Sequence, residues 1–125
     1  MEFVKNHQMT ALIYEDKPVS YEELIKNSDF YGSKLQIEKE EKVLIFSPNK
    51  TEMIYSFFGI WEQKGCVVIA DYSSSVEELI YVLKDSEAKY MYTTLESKEK
   101  VEKALEVLPY KVNVLFFENN KIDDY

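Results

Sequence analysis

The sequence predicts an α/β domain: a parallel sheet of about four strands with helices on both faces, and a small N-terminal β-hairpin. Three observations lead there. Short apolar runs alternate four times with amphipathic stretches, which is the signature of βαβ units. The runs are continuously apolar rather than alternating, as expected of strands covered on both faces. The stretches between them carry helix start and stop residues.

The elements follow in order. Thr10-Ala11-Leu12-Ile13-Tyr14 is β-rich, Glu15-Asp16-Lys17 is a polar turn, and Pro18-Val19 returns as the second arm of a hairpin beside the main pattern. Ser20 and Glu23 then form a capping-box pair. Tyr21, Leu24, Ile25, Tyr31 and Leu35 follow at helical spacing, and Ser28 and Gly32 complete that face as small residues suited to close packing. The charged stretch Glu38 to Lys42 reads as a solvated loop.

Val43-Leu44-Ile45-Phe46 is the first strand of the main pattern, broken by Ser47-Pro48-Asn49. Thr51 to Gln63 is helical, with Ile54, Phe57, Phe58 and Trp61 as its apolar stripe and Gly65 as its stop. Cys66 to Ala70 reads as a second buried strand. A third helix starts with a capping box, either Ser74 with Glu77 or Ser75 with Glu78, and carries Val76, Leu79, Ile80 and Leu83. Ala88 to Thr93 is a third strand, Ser97 to about Leu108 a fourth helix ended by Pro109, and Val112 to Phe117 a last strand. The polar tail from Glu118 to Tyr125 either frays or marks where a longer protein was cut.

At 125 residues the chain fits a single domain, 1–125, that buries roughly two-thirds of its extended surface. A net charge of -8 argues against nucleic acid and anionic membrane surfaces as partners, since both demand a basic patch. No run approaches the ~18 apolar residues of a membrane helix, and no apolar stretch opens the chain as a signal peptide would. One cysteine, Cys66, allows no intrachain disulfide, and the expected location is the cytoplasm.

The chemistry that a parallel α/β domain invites is missing. Gly32, Gly59 and Gly65 are far apart, so there is neither a G-x-G-x-x-G turn nor a Walker loop. A phospho-receiver needs carboxylates at strand ends, but Ser47-Pro48-Asn49 supplies none and Asp71 stands alone. Cys66 opens an apolar strand and reads as a small buried hydrophobe, while His7 lies in a polar tail. Paired carboxylates such as Glu22-Glu23 and Glu77-Glu78 read as caps and surface charge. Phe57, Phe58 and Trp61 could line a pocket, but a helix stripe of this kind is read as core. Tyr90 and Tyr92 read as core or interface. No catalytic, cofactor-binding or metal-ligating residue is assigned.

Three segments, Pro18 to Leu24, Trp61 to Asp71 and Val76 to Lys89, nevertheless resemble motifs of the adenylate-forming enzymes: acyl-CoA synthetases, peptide-synthetase adenylation domains and luciferase-like ligases. Pro18-Val19-Ser20-Tyr21-Glu22-Glu23-Leu24 resembles their L-[T/S]-Y-x-E-L motif. Trp61 to Asp71, WEQKGCVVIAD, is similar without gaps to L-K-A-G-x-A-Y-V-P-[IL]-D, with Lys64 in place of the small turn residue and Ile69 in place of the proline. Val76 to Lys89 is similar to P-x-E-R-L-x-Y-x-L-x-D-S-x-A-K, without its leading proline. Upstream, Glu40-Glu41 stand in for the usual Gly-Asp. Asn27-Ser28-Asp29, Glu52 to Gly59 and Asp71-Tyr72-Ser73 further resemble segments of D-alanine–carrier-protein ligases.

The resemblance implies the N-terminal lobe of a ligase that uses ATP and Mg²⁺ to join a carboxylate to AMP, then passes the acyl group to the thiol of CoA or a carrier protein. In that family the phosphate-binding Ser/Thr/Gly-rich loop and the catalytic lysine lie downstream of the segments matched here. The fragment is therefore expected to be inactive, to need no cofactor of its own, and to have the remainder of its parent enzyme as partner. It should expose an apolar patch capable of self-association. Asp71 is read as a turn or cap residue. The rivals are a non-catalytic binding module built on the same lobe, and a flavodoxin-like enzyme with a cofactor at its switch point.

Overall fold

The computed structural model describes residues 10–14, 17–119 and 121–124. β1 (Thr10–Tyr14) and β2 (Lys17–Ser20) pair antiparallel as a separate two-stranded sheet. The expected turn at Glu15-Asp16 and the tail holding His7 lie outside the described residues. The main sheet contains β3 (Lys42–Phe46), β4 (Cys66–Ala70), β5 (Tyr90–Thr93), β6 (Asn113–Phe116) and β7 (Lys121–Asp124), in the order β4-β3-β5-β6-β7. β3, β4, β5 and β6 run parallel.

β7 runs antiparallel to β6, with Leu115 opposite Ile122. The sequence left the tail as either frayed or the place of a cut; over Lys121–Asp124 it is a paired strand, because ladder pairing uses backbone groups and needs no apolar pattern. It also gives β6 a second neighbour. Among the described residues no helix is long and apolar enough to cross a membrane.

The helices divide between the two faces. α1 (Tyr21–Gly32) and α2 (Thr51–Glu62) cover a core of Leu24, Tyr31, Val43, Ile45, Tyr55, Ile60, Tyr90, Tyr92, Leu115 and Phe117. α3 (Val76–Ser86) and α4 (Lys98–Leu105) cover Leu44, Phe46, Leu79, Leu83, Met91, Val101, Val114 and Phe116. The period of two along β5 sorts Tyr90 and Tyr92 to one face and Met91 to the other. Both tyrosines are thus core, one of the two roles read for them from the sequence.

α1 and α2 meet over their small residues. A methyl group built on Gly59 would lie 2.7 Å from the Ser28 carbonyl oxygen and 2.8 Å from the Gly32 amide nitrogen. One built on Gly32 would lie 2.7 Å from the Gly59 carbonyl oxygen. The buried face of α2 is therefore Tyr55, Ser56, Gly59 and Ile60, not the expected stripe. Phe57 and Phe58 are half-buried, and Trp61 is 42% exposed, packed edge-on against both rings. The small residues win the interface because only they permit backbones to approach this closely.

Helix ends follow local chemistry. Ser20 Oγ accepts from the Glu23 amide at 3.1 Å. The full reciprocal box is at Ser75 and Glu78, which settles the alternative left open at Ser74. α2 ends in a Schellman motif, in which Gly65 N–H donates to Ile60 O (2.9 Å) and Lys64 N–H to Trp61 O (2.8 Å). The left-handed residue there is Lys64, at φ 64°, and Gly65 serves instead by leaving room for Ile37 and Ile60. Ser97 belongs to a 3-10 turn, Leu95–Ser97, that leads into α4.

α3 ends at Glu87, held at φ 58° with its amide donating to Leu83 O. A side chain in this region costs about 1 kcal/mol that glycine avoids. Glu87→Gly should therefore raise the urea midpoint by the equivalent of about 0.5–1 kcal/mol without changing the slope of the transition.

Candidate functional site

In a doubly wound sheet, ligands bind where the strand order reverses, beyond the carboxyl ends of the strands. Here the chain passes from β3 out to β4, then crosses to β5 on the other side of β3, so the reversal lies between β3 and β5. Residues following Phe46 and Thr93 frame the crevice, and the turn from Asp71 to Ser75 closes one side.

The crevice is filled by its own side chains. Thr93 Oγ1 donates to the Phe46 carbonyl at 2.7 Å and lies 2.6 Å from Ser97 Oγ. Ser97 Oγ also reaches the Thr94 carbonyl at 2.9 Å. The Tyr72 phenol sits 3.0 Å from Thr94 Oγ1 and donates to Glu96 Oε1 at 3.1 Å. Its ring lies against Phe46, with centroids 5.0 Å apart. Burial first, and Glu96 next to it, hold the Tyr72 phenol above its ordinary pKa despite the opposing bond to Thr94.

The cations at this rim are also engaged. Lys100 Nζ donates to the Ser74 carbonyl at 2.8 Å. Lys50 Nζ is 3.7 Å from Glu118 Oε2, and Glu118 Oε1 accepts from the Leu95 amide at 3.0 Å. Asp71 Oδ1 accepts from the amide and the hydroxyl of Ser73, at 2.9 and 2.8 Å. These bonds, the amide first, lower its pKa, and Glu78 is lowered in the same way by the Ser75 amide. Both carboxylates are ionised turn and cap residues, which is the role read for Asp71 from the sequence.

The rim hydroxyls are taken up by one another, by backbone carbonyls and by Glu96, and no group of three metal-ligating residues occurs among the described residues. Cys66 is exposed, not the buried hydrophobe expected, because β4 is the end strand of the sheet. Phe57, Phe58 and Trp61 form an aromatic cluster on α2, in which Phe57 and Phe58 also pack on the core and Trp61 is the exposed member. What the sequence did not reveal is Tyr72 as the plug of the crevice, since an isolated tyrosine in a turn carries no periodic signal.

Comparison with known proteins gives a consistent result. The family model described as AMP-binding enzyme matches residues 2–124. A mycosubtilin synthase protein of Bacillus subtilis is 31% identical over 94 residues, covering 73% of this chain and 4% of that protein. 4-Hydroxybutyrate–CoA ligase 2 of Metallosphaera sedula is 28% identical over 102 residues, covering 74% of this chain and 19% of that protein. The crystal structure of the anthranilate CoA ligase AuaEII in complex with anthranoyl-AMP superposes with a TM-score of 0.81 at 21% identity, over 88% of this chain and 22% of that one. The chain thus spans less than a quarter of the length of each of these relatives. With its parallel sheet, its caps and its three motif segments, the chain belongs to the AMP-binding enzyme family.

Proposed function

We propose that this chain is the N-terminal supporting lobe of an ATP-dependent acyl-activating ligase, and that it performs no step of the reaction by itself. Such a ligase joins a carboxylate to the α-phosphorus of ATP, releases pyrophosphate, and transfers the acyl group from AMP to a thiol of CoA or of a carrier protein. Stabilising the charge that develops on the transferring phosphorus requires cations and free donors aimed at it. The observation that carries the reading is the crevice between β3 and β5, whose Thr93, Ser97, Tyr72 and Thr94 hydroxyls bond inward. The residues that match the family motifs work here as caps, turns and sheet core.

The test is isotope exchange. The purified chain, given ATP, Mg²⁺ and a panel of carboxylic acids, is expected to move no labelled pyrophosphate into ATP. Exchange above the blank with any acid overturns the proposal. A coding sequence that continues beyond Tyr125 into a Ser/Thr/Gly-rich, lysine-bearing loop supports a ligase lobe, whereas a stop codon there favours the binding module instead.

A further inference from the structure

β4 is the last strand of its sheet, and among the described residues nothing pairs with its outer side. The Cys66 amide donates toward β3, to Glu41 O at 2.9 Å. Alternation along a parallel ladder then turns the amide and carbonyl groups of Val67 and Ile69 outward. Natural edge strands are guarded by lysine, proline or a bulge. This one reads Cys-Val-Val-Ile-Ala, pairs with β3 without a bulge, and leaves Ile69 56% exposed. Beside it on α3, Tyr81 is 70% exposed over a shallow depression shared with Ile69, Asp71, Glu77 and Val82.

The charges around this edge have a pattern. Lys64 precedes the strand and Asp71 follows it, with no charge between. On α3, Glu77 and Glu78 occupy the first turn, and Lys84 stands beside Asp85 in the last, so the helix adds no clear polarity to that of the strand. A segment that is basic at one end, acidic at the other and uncharged between complements an antiparallel copy of itself.

We propose that the open edge of β4 is an interface between two copies of this chain, which pair β4 to β4 antiparallel about a two-fold axis through Val68. This goes beyond the ligase reading and does not depend on it. In that register Val67 of each copy faces Ile69 of the other. The outward-turned residues thus meet as hydrogen-bonded pairs, as an antiparallel ladder requires. Asp71 of one copy falls opposite Gly65 of the second, within reach of the neighbouring Lys64. The same axis turns α3 antiparallel to its copy. Cys66 falls opposite Ala70, so the pairing forms no disulfide.

Sedimentation velocity on the purified chain, in reducing buffer at low and moderate salt, tests this. A weak monomer–dimer equilibrium is expected, because a strand edge and one helix flank make a small interface. Ile69→Lys, at an exposed side chain, should weaken it about tenfold or more while circular dichroism is unchanged. Lys64→Glu should also weaken it, and Lys64→Glu combined with Asp71→Lys should restore it. A chain that stays monomeric at its solubility limit overturns the proposal, as does a dimer unmoved by Ile69→Lys. A monomer whose Val67 and Ile69 amides are strongly protected from hydrogen exchange overturns it too, since the edge would then be covered within one chain.

Discussion

Gly59→Ala is expected to cost about 3 kcal/mol of folding stability, although alanine is the better helix former by about 1 kcal/mol. The added methyl would stand 2.7 Å from the Ser28 carbonyl oxygen and 2.8 Å from the Gly32 nitrogen. Both are backbone atoms of α1, so no side chain can swing aside. Relief requires the two helices to part, which uncovers Tyr55 and Ile60 on α2 and Leu24 and Tyr31 on α1. Urea unfolding, followed by far-UV circular dichroism, would register the loss as a lower midpoint at an unchanged slope. A midpoint equal to that of the parent chain would show that α1 and α2 are not in backbone contact.

Tyr92→Ala is expected to cost about 4 kcal/mol, the usual penalty for emptying a buried aromatic site. Tyr92 is stacked with Tyr31 and Phe117, at centroid distances of 5.7 and 6.2 Å. Its phenol donates to the Tyr31 carbonyl. Tyr92→Phe keeps the stack and should cost only about 1 kcal/mol at neutral pH, because that carbonyl also accepts from the Lys34 amide.

Tyr92→Phe separates from the parent at alkaline pH. Burial, and then the neighbouring tyrosine, raise the Tyr92 pKa far above the ordinary tyrosine value; burial, and then Glu52, raise that of Tyr31. Above pH ~10 the unfolded chain sheds these protons while the folded chain keeps them, so stability is whole below that pH and falls as pH climbs. Each phenol contributes a slope of up to about 1.4 kcal/mol per pH unit. Tyr92→Phe should remove one such contribution, so its stability between pH 10 and 11.5 should fall less steeply than that of the parent. Equal slopes would place the Tyr92 phenol in water.

The sequence carried the βαβ order and the helix starts, because those are local. Ser75 and Glu78 are three residues apart, and their reciprocal bonds need nothing from the rest of the chain. The sheet's lateral order was not legible. Cys66 to Ala70 is as apolar as Val43 to Phe46, yet one is an end strand and the other is central. A continuous apolar run reports how a strand's faces are covered, not whether its edge is paired. The face of α2 was misread for a related reason: side-chain size pointed to Phe57 and Trp61, while close approach to α1 selects Gly59 and Ser56. β7 was missed because a ladder pairs through backbone groups, which leave no signature in a polar segment. At the crevice, the absence of a glycine-rich loop was visible in the sequence, but the Tyr72–Thr94–Glu96 plug joins residues more than twenty positions apart.

The placement of the aromatic rings also decides which optical signal reports on which event. The lone tryptophan, Trp61, stands on the outer side of α2, already in partial touch with water. Melting takes it off the Phe57 and Phe58 rings and into water, so its emission moves to the red when that cluster is lost. The stacked rings of Tyr31, Tyr92 and Phe117 are held rigidly in an asymmetric setting. Their near-ultraviolet dichroism vanishes with the packed interior, so tyrosine bands follow loss of the sheet core while tryptophan fluorescence follows the aromatic cluster on α2.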